Sequence, residues 1–341
     1  GIAQEIDANK YPNLLTLFEE SVKKYADKPA VSSVGNTLSY ADLDKLSAQF
    51  ACYLQNETNL KTGDRIAVQM PNLVQYPVVV WGAMRAGLII VNTNPLYTTR
   101  EIKHQLNDSG AKAIVVMAAV AETLAAVVDE TPVEHVIMTM PADLHPPLKR
   151  TVINFAAKHV KKMIPKVSIS GAISLPNALK KGKSGSFTPC HPAPDDIAVL
   201  QYTGGTTGVA KGAMLSHSNL VANMMQAGEL FPNFGIKQAE DVFIFPLPLY
   251  HIYAFIMSAV SLSQGNHGVL IPNPRDLDAF VAEMSKWKFN GITGLNTLFV
   301  GLCNPEGFRK LDFSHLKLTL SGGMALTEAA ANRWKEVTGC V

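Results

Sequence analysis

The sequence predicts an α/β fold: two similar, mostly parallel sheets flanked by helices. Three observations carry this. Apolar strand-like runs alternate with helical segments, the pattern of a parallel sheet with helices on its faces. The alternation occurs twice, at a nearly constant offset. The 341 residues are 47% hydrophobic and 17% charged, enough for a large core over two to three subdomains.

The first unit opens with a strand over 64–70, followed by an apolar helix over 76–86, Gly87 and a strand over 88–91 that ends at Asn94 and Pro95. An amphipathic helix over 101–106 and a strand over 113–116 complete it. The second unit has a strand over 241–245, a helix over 253–262, Gly268 and a strand over 269–271, ending at Asn273 and Pro274. A helix over 276–287 and a strand over 291–293 follow. Matching positions lie 177 to 179 residues apart (Asp64 and Asp241, Pro95 and Pro274). Two such units suggest two subdomains packed together, with ligands at the carboxyl ends of the strands. The expected division is a first subdomain over 1–143, a basic linker over 144–194 and a second subdomain over 195–341.

The most informative stretch is 202–212: Tyr202, Thr203, Gly204, Gly205, Thr206, Thr207, Gly208, Val209, Ala210, Lys211 and Gly212. Glycines let backbone N–H groups approach phosphate closely, threonine hydroxyls add donors, and lysine adds positive charge. A Walker loop is excluded, because Lys211 lies between Ala210 and Gly212; no Rossmann triplet is present either. An apolar strand over 197–202 leads in, a short strand over 213–215 leads out, and Ser216 reads as the N-cap of a helix over 218–228. On this reading the run opens the second unit and has no counterpart in the first. From the residues alone, a flexible hairpin turn and a polyphosphate cradle both stand.

The full eleven-residue string resembles the signature of the adenylate-forming enzymes: acyl-CoA synthetases, luciferases and peptide-synthetase adenylation domains. The resemblance implies a loop that holds the β- and γ-phosphates of ATP while a carboxylate attacks the α-phosphate. It also implies two related α/β sheets plus small β-barrel elements. The segment from Pro246 through Tyr250, His251 and Tyr253 to Phe255 resembles a second family signature, in which the His and aromatics line the carboxylate and thioester channel. Phe255 falls where long-chain relatives place an aromatic gate; ordinary core packing is its other reading. Catalytic roles are thus expected of His251 and Lys211. Asn296, Thr297 and Leu298 fall in the family's acyl-pocket segment, with Asn296 where many relatives have proline. Ser321, Gly322, Gly323 and Met324 resemble the wall beside adenine and the acyl chain; a plain Gly-Gly turn is the alternative.

Nearly the whole chain is similar to the N-terminal part of bacterial long-chain fatty-acid–CoA ligases, including Gln75, Tyr76 and Pro77, the run 91–98, His104 through Gly110, and Asn273 through Asp276. The resemblance implies ATP, Mg²⁺ and coenzyme A as reaction components and a long-chain fatty acid as substrate. The family pattern continues beyond Val341 with a Mg²⁺-binding Glu, a ribose-binding Asp, a hinge and a small domain with a catalytic lysine. No metal ligand is therefore expected within this chain. Gly1 in place of Met also reads as a truncated piece, expected to have little ligase activity alone. An adenylate-former for an aryl or short acid, and a non-catalytic acyl- or nucleotide-binding module, are the rival readings.

Composition narrows the setting. There is no signal-peptide pattern, and no uncharged apolar run is long enough to cross a bilayer. Cys52, Cys190, Cys303 and Cys340 are widely spaced, which reads as a reduced, cytoplasmic protein with neither disulfide framework nor zinc site. From 144 to 194 there is no Asp or Glu but nine Lys and Arg, in a chain of net charge +2. Within this belt Val152, Phe155, Ala156, Val160, Met163 and Ile164 recur at helical spacing between lysines. Two readings stand: an amphipathic helix over 149–166 on an anionic inner membrane, or a surface helix packed on the protein. The belt lacks interleaved aromatics and the chain lacks nucleic-acid motifs, so nucleic acid is not an expected partner. The oligomeric state is not fixed by the sequence; a homodimer is left open.

Overall fold

The computed structural model describes residues 5–7, 10–204 and 209–340. Its thirteen strands are β1 (Pro29–Ser33), β2 (Asn36–Ser39), β3 (Arg65–Gln69), β4 (Ile89–Asn92), β5 (Ala111–Met117), β6 (His135–Thr139), β7 (Ile173–Ser174), β8 (Ile197–Thr203), β9 (Lys211–Ser216), β10 (Val242–Phe245), β11 (His267–Leu270), β12 (Gly291–Gly294) and β13 (Leu318–Ser321). One sheet runs β7-β6-β5-β3-β4-β8-β9 and the other β13-β12-β10-β11-β1-β2. Every pairing is parallel except the hairpins β8–β9 and β1–β2. Neither sheet of the described residues closes, so the small barrel implied by the resemblance is not formed by these strands.

Strand pleating explains the layering. In β3, Ile66 and Val68 face one core while Ala67 faces another; in β10, Phe243 and Phe245 face that same first core while Ile244 faces a third. The shared core therefore lies between the sheets, filled by helices such as Leu14–Lys24, Tyr40–Asn56, Gln75–Arg85, His217–Gly228 and Ile252–Ser263. The outer face of the first sheet is covered by helix Thr99–Ser109, and that of the second by helices Leu277–Met284 and Glu328–Thr338. Five layers result: helix, sheet, helix, sheet, helix. Helix Gln75–Arg85 is buried at every position, as a middle layer requires.

The internal repeat is real, and larger than the sequence reading made it. The order β5-β3-β4-β8-β9 in one sheet matches β12-β10-β11-β1-β2 in the other. Hairpin β1–β2 has a register shift between Pro29 and Val31, and β8–β9 has one between Ile197 and Val199. Ser39 caps helix Tyr40–Asn56 through a capping box with Asp42; Ser216 caps helix His217–Gly228 through one with Asn219. The offset is 168 before the turn (Val31 and Val199) and 177 after it (Ser39 and Ser216), so the second hairpin is nine residues longer. The glycine-rich run thus has a counterpart in the first unit: the tight Val34-Gly35 turn, both residues at positive φ.

The hairpins are also exchanged. β1–β2 comes from the start of the first unit yet joins the second sheet, against β11. β8–β9 comes from the start of the second unit yet joins the first sheet, against β4. A boundary at 195 therefore does not follow the sheets, and the glycine-rich run stands on the edge of the first sheet. The 144–194 belt is only partly a linker, because β7 pairs with β6 and helix Leu175–Gly182 packs on helix Tyr40–Asn56. Within the belt, helix Pro147–Phe155 runs into a wider turn, Ala156–Val160. Its protein-facing side is narrow, with Ala157 buried and Ile153 and Asn154 half-buried. Leu148, Val152, Phe155, Val160 and Met163 stand between 52% and 79% exposed. No helix among the described residues is long and apolar enough to cross a membrane.

Candidate functional site

A cleft of about 1080 Å³ opens where the carboxyl ends of both sheets converge. One wall comes from the first sheet: Asn92 at the end of β4, Gln201 to Thr203 at the end of β8, and helix Thr99–Ser109 with Arg100, Glu101, His104 and Gln105. The other wall comes from the second sheet: Leu247, Pro248 and Tyr250 to Ala254 after β10, Leu295 after β12, and Gly322 to Met324 after β13. This is the place where parallel α/β sheets take ligands.

The base of the glycine-rich hairpin is held firmly. Thr203 pairs with Lys211 and Tyr202 with Gly212 across the antiparallel ladder. The Tyr202 hydroxyl donates to Asp108 Oδ2 at 2.5 Å, and burial plus that carboxylate push its pKa well above the usual value. A Cβ on Gly212 would come within 2.9 Å of the Tyr202 ring, so this position needs glycine for close approach. His104 Nε2 lies 3.0 Å from the Ala210 carbonyl, tying the returning arm to the first sheet's helix. Tyr202, Thr203 and Gly204 line the cleft. Lys211 is exposed at the start of β9 and Gly212 pairs behind it; neither is on the lining. Gly205, Thr206, Thr207 and Gly208 lie outside the described residues.

On the opposite wall, His251 caps helix Ile252–Ser263 by its backbone, with its ring open to the cleft and 4.7 Å from the Tyr250 ring. Partial loss of water around the ring lowers its pKa below the ordinary value, which favours neutral imidazole. Tyr253 donates its hydroxyl to the Leu320 carbonyl at 3.0 Å. A Cβ on Gly322 would fall 2.4 Å from the Tyr253 ring, so glycine is what lets the β13 turn pack on this aromatic. Gly323 has φ +82°. Met324 is exposed on the lining, while Ser321 lies just behind it with its buried hydroxyl lacking a protein partner. The Gly-Gly turn packs on Tyr253 and, with Met324, lines the cleft.

The remaining expected residues lie elsewhere. Phe255 is buried and lines a separate small cavity of about 30 Å³ with Trp81, Leu249 and Leu270, not the cleft. Asn296, Thr297 and Leu298 are off the lining; Asn296 Oδ1 instead accepts from the Thr327 N–H and hydroxyl at 3.0 and 2.9 Å. Asn92, Arg100, His104, Gln105 and Gln201 line the cleft without a role in the sequence reading. One signal was available: the capping box of Thr98 and Glu101, directly after β4, starts a helix at the carboxyl end of the sheet. Among the described lining residues Glu101 is the one carboxylate, and it is engaged by Thr98 N–H at 2.8 Å and the Thr98 hydroxyl at 2.7 Å. No group of three or more His, Cys, Asp or Glu that could hold a metal occurs among the described residues.

A cleft shared by two repeated parallel sheets, with a hairpin's arms on one lip, defines an α/β protein of the kind that takes small ligands at the strands' carboxyl ends. More narrowly, the chain belongs to the AMP-binding enzyme family, which matches residues 18–341. It is 45% identical over 339 residues to a long-chain-fatty-acid–CoA ligase of Escherichia coli O6:H1, covering 99% of this chain and 60% of that protein. A long-chain-fatty-acid–CoA ligase of Haemophilus influenzae is 46% identical, with 100% and 61% covered. The chain thus spans about 60% of the length of these relatives. The anthranilate CoA ligase AuaEII, solved with anthranoyl-AMP, shares the fold at a TM-score of 0.83 and 19% identity, with 98% of this chain and 60% of that one covered.

Proposed function

We propose that this chain is the ATP- and acyl-binding part of an AMP-forming long-chain fatty-acid–CoA ligase. In the first half-reaction a carboxylate oxygen attacks the α-phosphorus of ATP. The bond from that phosphorus to the bridging oxygen breaks, its electron pair leaves on pyrophosphate, and acyl-AMP forms. In the second, the sulfur of coenzyme A attacks the acyl carbon and AMP leaves.

The shared cleft carries this reading. Its two walls bring the hairpin's arms and His251 to one space large enough for a nucleotide and an acyl head. Thr203, the backbone N–H groups of the loop and Lys211 would neutralise the β- and γ-phosphates. Neutral His251, with Tyr250 and Tyr253, would border the carboxylate so that it meets the α-phosphorus in line. Mg²⁺ would neutralise phosphate charge when bound with ATP. The names of the 45–46% identical relatives favour a long acyl chain over an aryl acid. The exposed apolar strip within the 144–194 belt favours peripheral association with an anionic inner membrane, where such acids partition.

The test is ATP–pyrophosphate exchange by the parent protein. Exchange should depend on a long-chain acid, and Lys211→Ala should lower it about 100-fold. Exchange supported by aryl or short acids, but not by long-chain ones, would overturn the substrate reading.

A further inference from the structure

We propose that Asn72, in the turn after β3, is a positioning residue that sets His251 in the acyl channel from the opposite subdomain. The inference rests on the function proposed above and adds a residue to it. Asn72 is 2% exposed. Its Nδ2 donates to the carbonyls of Phe245 at 3.0 Å and Leu247 at 2.8 Å, and its Oδ1 accepts the Leu249 N–H at 2.8 Å. All three bonds go to the single segment that delivers His251. The Asn72 carbonyl in turn accepts from Ser33 Oγ, on the exchanged strand β1, at 3.1 Å.

The segment needs such help. Pro246 and Pro248 have no N–H to donate, so the chain between β10 and helix Ile252–Ser263 has few backbone bonds of its own. Its local ties near the site are His251 N–H to the Pro248 carbonyl, at 3.0 Å, and Phe255 N–H to the His251 carbonyl, at 2.9 Å. Two further groups on the first sheet's side complete the clamp. Tyr76 Oη lies 2.9 Å from the Leu249 carbonyl and 2.6 Å from Asn92 Oδ1, sharing its proton between them. Gln201 Nε2 donates to the Tyr250 carbonyl at 3.0 Å while its Oε1 accepts from Asn92 at 3.2 Å. Every backbone carbonyl from 247 to 250 except that of Pro248 is therefore held from the first sheet's side, and Pro248 holds His251. Moving Asn72 moves the point from which His251 is hung.

The experiment compares wild type, Asn72→Ala and Asn72→Ser in the parent protein by ATP–pyrophosphate exchange, and in the 341-residue chain by amide hydrogen exchange. The Ser variant is too short to bridge all three partners, keeps a small polar group and buries no charge, so it serves if the Ala variant does not fold. Positioning requires kcat/KM for the fatty acid to fall at least tenfold while KM for ATP stays within about twofold. It also requires the His251 amide, which Asn72 does not touch, to exchange at least tenfold faster while β4 amides do not change. Equal losses toward ATP and fatty acid, or an unchanged His251 amide, would overturn the proposal. A wild-type parent with no acid-dependent exchange would overturn the ligase reading instead, and the amide measurement would still decide the clamp.

Discussion

Two buried histidines set a residue-scale expectation. His217 Nδ1 accepts the Leu14 N–H at 3.3 Å, and His267 Nε2 lies 2.8 Å from Ser32 Oγ, its ring edge-on to Trp287. Burial lowers both to about 4 from an ordinary 6.5. The unfolded chain then binds protons below pH 6.5 that the folded chain refuses. Stability from these sites is complete above pH 6.5 and is lost as pH falls toward 4, on the order of 3 kcal/mol for each. Urea midpoints should fall across that window, and His267→Gln should flatten the fall. A midpoint independent of pH from 6.5 to 4 would contradict the assignment. At this scale the sequence spoke unevenly. Tyr202 and Thr203 were readable because their neighbours form a long signature. Gln201 and Asn72 were not, because a lone amide carries no pattern until the fold supplies its partners.

At the scale of elements, the belt helix separates what periodicity reveals from what it hides. The spacing of Val152, Phe155 and Val160 shows an apolar stripe but not what covers it. The structure leaves the stripe uncovered, because Ile153 and Ala157 take the protein-facing side and Val152 and Phe155 turn away. Lysines 149, 158, 161, 162 and 166 surround it, all exposed, and Lys162 bends the chain away at φ +52°. Hydrophobic insertion and anionic attraction should act together. The chain should sediment with vesicles of anionic phospholipid, and less so as salt rises. Phe155→Ser with Val152→Ser should weaken binding at low and high salt alike, whereas Lys158→Glu with Lys161→Glu should weaken it mainly at low salt. Equal binding by all forms would sink the idea.

On the scale of the whole molecule, the exchanged hairpins make the two halves mutually dependent. The βαβ core of each sheet was legible as an echo at a fixed offset. The hairpins were not, because the offset jumps by nine residues inside the second and each hairpin pairs outside its own unit. A fragment of residues 195–341 would carry β8–β9 without β4, and would lack β1–β2 beside β11. It should show no cooperative denaturant transition alone, and mixing it with residues 1–194 should restore one, read by circular dichroism. A sharp transition from the isolated fragment would show that the exchange is dispensable.

The longer hairpin has a consequence for how new chemistry can be acquired. Its base is fixed by ladder pairs, a register shift and a capping box that its short twin shares, so length is added beyond that base. Of the nine extra residues, four extend the ladder as the pairs Tyr202–Gly212 and Thr203–Lys211, and five lengthen the turn, which adds on the order of 1 kcal/mol of closure entropy. Of two sibling hairpins, one is a short fastener and the other a longer arm at the cleft. The fold is a mounting on which that arm can be resized, shortened or exchanged, and the rest of the protein need not be rebuilt to receive it.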